Sequence, residues 1–78
     1  MKTMTCNQLG GACELEFHAE TFEAIAEMSK AHGTKMFMSN DAPHLQAMHE
    51  MQELMKSPEA MQTWFDKKRN EFDNLSDD

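Results

Sequence analysis

The stretch Cys6-Asn-Gln-Leu-Gly-Gly-Ala-Cys13, continued by Glu14-Leu-Glu-Phe-His18, decides how this chain folds. Gly10 and Gly11 allow the positive φ angles of a chain reversal, so 7–12 reads as a loop. After it, Cys13, Leu15 and Phe17 alternate with Glu14, Glu16 and His18, the period-two pattern of a half-buried strand. Before it, Thr3 and Thr5 alternate with Met4 and Cys6, a weaker form of the same pattern. The two runs predict an antiparallel β-hairpin. A register that sets Cys6 opposite Cys13 also sets Met4 opposite Leu15 and Lys2 opposite Phe17. It gathers the apolar residues and both thiols on one face.

Beyond the hairpin the chain reads as helical. Thr21 is a helix N-cap, and Gly33 is the residue type that ends helices in a left-handed turn. Between them Phe22, Ile25, Ala26 and Ser29 share one side. Glu20, Glu23 and Glu27 load the first half, with Lys30 and His32 near the end, as the helix dipole favours. A loop over 34–40 is expected next. Asn40 or Asp41 then caps a second helix to about Met55, with Pro43 tolerated in its first turn. Ser57-Pro58 starts a third helix carrying Met61, Trp64, Phe65, Phe72 and Leu75, which frays into 76–78. The expected fold is therefore α+β: an N-terminal two-stranded antiparallel β-hairpin packed on three α-helices, the last two forming a helical hairpin. All of it belongs to one small domain, 1–78, with the hairpin and first helix in 1–33 and the helical hairpin in 41–75.

Composition narrows the function classes. Seven Lys and Arg against fourteen Asp and Glu leave a formal charge of −7 on 78 residues. Phosphate backbones and anionic lipid surfaces recruit basic patches, so neither nucleic acid nor a membrane is expected as a partner. The one basic cluster, Lys67-Lys68-Arg69, is diluted by Asp66, Glu71 and Asp73. The longest apolar run, Met36-Phe37-Met38, falls far short of the ~18 residues that span a bilayer. With no signal-peptide core at the N-terminus, a cytoplasmic location is expected. There, free or metal-bound thiols are favoured over a lasting disulfide. So short a chain buries only a little over ~60% of its unfolded surface and needs reinforcement from a metal, a disulfide or a partner.

Spacing then brings a third donor to the cysteines. From Cys13 to His18 a strand advances about 17 Å, and from Thr21 to His32 a helix returns about the same distance. His32 therefore arrives level with the thiols, on a bearing close to Ile25 at the edge of the apolar stripe. Two thiolates and an imidazole from Cys6, Cys13 and His32 form a soft N/S set suited to zinc and to other thiophilic metals. Asp41, His44 or a water is left for the fourth position. His18 faces the other side of its strand, and His44 and His49 lie about 140° apart around a helix. Two other readings use the same residues: inert thiols filling a small core beside a helix C-terminal cation, and a Cys6–Cys13 redox pair. No Ser/His/Asp order, phosphate-cradling loop or paired-carboxylate pocket stands out, and no enzymatic activity is expected.

The Cys6-to-Cys13 segment, the acidic and aromatic strand after it, Thr21, and His32 before Gly33 together resemble domain-of-unknown-function family 1059, the predicted small metal-binding proteins. The resemblance covers 1 to about 33. It implies metal ligation by Cys6, Cys13 and His32. Members of that family carry a second histidine about a turn later, where this chain reads Met36-Phe37.

Nine methionines are the other unusual feature. Met48, Met51 and Met55 follow a helical stripe beside Leu45 and Leu54. An amphipathic helix must bury one face, so core packing is the first reading. Thioethers also bind Cu(I), and apolar surface on the second and third helices suits a homodimer seam or another protein partner. A metal-free interaction or homodimerisation module using these helices is thus the alternative to metal binding.

Overall fold

The computed structural model describes residues 1–78 as β1 (Lys2–Thr5), a short 3-10 turn (Asn7–Leu9), β2 (Glu16–Ala19), α1 (Phe22–Met38), α2 (Ala42–Leu54) and α3 (Pro58–Asp73). This is the expected α+β order, a two-stranded antiparallel hairpin followed by three helices. The register differs. Met4 lies opposite Phe17 and Lys2 opposite Ala19, so the ladder is displaced by two residues and does not pair Cys6 with Cys13. The cause is local. The Cys6 carbonyl accepts from the N–H groups of Leu9 (3.1 Å) and Gly11 (2.8 Å), winding the chain into the 3-10 turn. Gly10, at φ 91°, closes that turn in the left-handed region, where only glycine sits without strain. Cys6 N–H then donates to Leu15 (2.8 Å) and Asn7 N–H to Cys13 (2.8 Å), leaving Cys13 in the loop and starting β2 at Glu16.

A displacement of two preserves the alternation of side chains, whereas a displacement of one would invert it. Met4, Cys6, Phe17 and Ala19 therefore still point inward, and Leu15, expected on that face, is 48% exposed.

Thr21 caps α1 as expected, its hydroxyl accepting from Ala24 N–H at 3.2 Å. Gly33, however, does not end the helix, and most of the expected loop over 34–40 is helical. An interior glycine costs only about 1 kcal/mol, which neighbouring packing outweighs. The terminator is Asn40 at φ 55°, where Asn40 N–H reaches Phe37 O (3.1 Å) and Asp41 N–H reaches Met36 O (3.2 Å). That bond pair is the Schellman closure, with asparagine in the place glycine usually takes. Ser57 caps α3 through Ala60 N–H at 3.3 Å.

The core consists of Met4, Cys6, Leu9, Phe17, Ala19, Phe22, Ile25 and Phe72. Phe72 ties α3 to α1 by packing edge-on against Phe22, with ring centroids 6.1 Å apart. Above that pair Arg69 lies over the Phe22 ring and bonds Glu23. No helix is long and apolar enough to cross a membrane.

Candidate metal centre

Four segments meet at one corner of the hairpin. Cys6 leaves β1, Cys13 sits in the loop, His32 comes from the middle of α1, and His44 from the first turn of α2. One donor atom from each lies within 4.8 Å of all the others. Cys13 Sγ is 3.3 Å from His32 Nε2, and Cys6 Sγ is 3.6 Å from His44 Nε2. A tetrahedral zinc with bonds of about 2.3 Å to sulfur and about 2.0 Å to nitrogen would set such S···N edges near 3.5 Å. The two imidazoles stand nearly perpendicular, at 82° with centroids 5.2 Å apart. Their nitrogens thus approach from separate directions.

His44 is the most constrained of the four. Asp41 is the N-cap of α2, and its Oδ2 accepts from the His44 backbone N–H at 3.1 Å. The same oxygen accepts from His44 Nδ1 at 2.5 Å. One carboxylate therefore starts the helix and holds a proton on Nδ1, so that in the neutral ring Nε2 is the free donor, and it faces the thiols. Carboxylate support of this kind is the usual second layer around a metal-bound histidine. His44 is also the one buried polar residue of the protein, and no buried side-chain nitrogen or oxygen lacks a partner. His32 is held by the Phe17 ring, edge-on at 5.8 Å.

Gly11 makes the corner possible. A Cβ there would fall 2.1 Å from Cys6 Sγ and 3.0 Å from the Cys6 carbonyl, so no other residue fits without moving the thiol.

Electrostatics divide the donors into two pairs. Burial pushes the Cys6 thiol up, although the N–H groups of Cys13 and Ala12 favour its thiolate. Cys13 is pulled down, first by the Leu15 N–H and then, against some desolvation, by His44 and Cys6. Burial, with the nearby His44, lowers His32, whereas the Asp41 hydrogen bond raises His44. Asp41 is lowered in return by the same bond. Two thiolates and two neutral imidazoles carry a charge of −2, which a divalent ion cancels.

The structure brings Cys6, Cys13 and His32 together as the sequence spacing predicts, through the loop rather than across the ladder. His44, one of three candidates for the fourth position, joins them, while Asp41 stands behind it. The sequence signal is Asp41-Ala-Pro-His44, a capped helix start that places an imidazole three residues beyond the capping carboxylate. His18 lies on the outward face, where Nδ1 is 2.8 Å from Thr3 Oγ1, and His49 is exposed. Both cysteines are free. No family model, curated protein or solved structure matches the chain.

Proposed function

We propose that this is a small, non-catalytic metal-binding protein that holds a zinc-like ion through Cys6, Cys13, His32 and His44. The convergence of four soft donors from four separate segments carries this reading. The Asp41 carboxylate on His44 supports it, because inert core thiols would not require an oriented imidazole. Four protein donors complete a tetrahedron, whereas catalytic zinc sites keep one position open for water or substrate. The resemblance of 1–33 to the predicted small metal-binding proteins of family 1059 points the same way. Elemental analysis and native mass spectrometry of protein purified without chelator test the proposal. One equivalent of metal, lost in Cys6→Ser and in His44→Ala, is expected; a metal-free, fully folded protein overturns it.

A second reading, a homodimer or protein-interaction module without metal, is favoured by Phe37 and Met38 at 60% and 78% exposure and by the partly exposed Met61 and Phe65. Sedimentation at high concentration separates the two, since a strict monomer removes the homodimer.

A further inference from the structure

The metal corner is not sealed. A cavity of about 300 Å³ opens on it, lined by Cys6, His32 and His44 together with Met48 and Met51 of α2. His44, Met48 and Met51 follow one another at steps of four and three, so they share one face of α2. Small residues lie opposite the two thioethers. A Cβ built on Gly10 would meet Met51 Sδ at 2.8 Å, and one built on Gly33 would meet the Met48 methyl at 3.6 Å. Each methionine is thereby seated beside a donor segment: Met51 on the loop between the two cysteines, Met48 on the residue after His32.

A thioether is neutral and soft. It binds monovalent d10 ions of the Cu(I) class and has little affinity for zinc. From these placements we propose that the cavity is a docking vestibule for a soft monovalent metal ion, in which Met48 and Met51 first hold the ion and then pass it to the Cys/His cluster. The inference rests on the cluster being a metal site, whose thiolates and imidazoles accept Cu(I)-class ions as well as zinc, and adds to it a route for the monovalent class. Transfer is ligand exchange without a change of oxidation state. The thioether–metal bonds break as thiolate–metal bonds form, and any thiol proton leaves to solvent. Met48 and Met51 are neither fully buried nor fully exposed, as residues of an entrance should be.

Ag(I), which is diamagnetic and stable in air, is the probe, with Co(II) reporting on the cluster through its thiolate charge-transfer bands. In protein carrying 13C-labelled methionine methyls, Ag(I) is expected to shift Met48 and Met51 while leaving the exposed Met28 unmoved. In stopped flow, Ag(I) should displace bound Co(II) at least about fivefold more slowly from Met48→Leu/Met51→Leu than from the parent, with unchanged Co(II) affinity. Unshifted methyls, or an equal displacement rate, overturn the vestibule while the cluster stands. Absence of Co(II) thiolate bands in the parent protein instead overturns the cluster, and the relay with it.

Discussion

At the scale of single residues, Asp41 has one role in folding and, under the proposed function, a second in ligation. Its carboxylate caps α2 and holds His44 Nδ1, so removing its charge while keeping its shape separates the two roles. Asparagine caps helices about as well as aspartate. Asp41→Asn should therefore keep its helical circular dichroism but lose about 10- to 100-fold in metal affinity, the usual cost of disrupting a carboxylate behind a ligating histidine. Competition with a chromophoric chelator measures this.

Proton release follows from the same residues. Cys6 is raised above its ordinary value of 9.0, so it enters binding as a thiol and must release its proton throughout the neutral range. His44, raised by Asp41, also carries a proton to a higher pH than an ordinary imidazole. In the metal-free protein that elevation stabilises the fold below about pH 6.5 and is lost as pH rises through the raised value. The depressed His32 acts oppositely, its contribution present above about pH 6.5 and lost on acidification. Metal affinity should therefore climb from pH 6 to 8, with at least one proton released per ion. Calorimetry in two buffers of different ionisation enthalpy reads that number, and a pH-independent affinity would contradict it.

At the scale of elements, α2 rests on part-buried contacts, Met48 against Gly33 and Met51 against Gly10, and its deepest anchor is the Cys/His corner. His44 is its single buried residue, whereas α1 buries Phe22 and Ile25. Local stability follows buried contact, so the helix that supplies a ligand should also be the one the ligand secures. Stripping the metal is expected to speed amide exchange across Ala42–Leu54 and the 7–13 loop by at least about tenfold, with β1, β2 and the first turns of α1 little changed. Uniform acceleration would show that α2 is not an independent unit. The same distribution explains what the sequence made legible. Element types, the caps at Thr21 and Ser57, the choice of Asn40 or Asp41 for α2, and three of the four donors follow from alternation, side-chain chemistry and length. The register of the hairpin did not, because a displacement by two keeps Met4, Cys6 and Phe17 on the inner face and moves only Leu15 out of it. Gly33 misled for a related reason. Glycine at a helix end and glycine beneath a neighbouring side chain look alike until the partner, here Met48, is known. His44 could be placed only once the Schellman turn at Asn40 had fixed the angle between α1 and α2.

At the scale of the whole molecule, the decisive quantity is thickness. The Cα envelope measures 33 × 28 × 15 Å, and the Cα cylinder of one helix is about 4.6 Å across with packed axes about 8–10 Å apart, so the protein is a slab two elements deep. A two-layer slab has an interior only where its layers touch, and only nine of 78 residues are buried. A core of that size supplies no more than about 3–5 kcal/mol. An ion that binds only the folded state adds RT ln(1 + [M]/Kd), about 4 kcal/mol at a thousandfold excess over Kd. That contribution would match the apolar core, and the ion would tie the hairpin, α1 and α2 at one point. Since about 1 kcal/mol moves the melting temperature of a domain this small by roughly 4–8 °C, saturating zinc should raise Tm by about 15–30 °C over chelator-treated protein. Scanning calorimetry with and without zinc measures the increment. Cys6→Ser should melt near the chelated parent and respond weakly to zinc, whereas an exposed control such as Met28→Leu should retain the full response. An unchanged Tm in the parent would mean that the slab is reinforced elsewhere, and the exposed faces of Phe37, Met38 and Phe65 would then supply the burial by association, making Tm depend on protein concentration instead of metal.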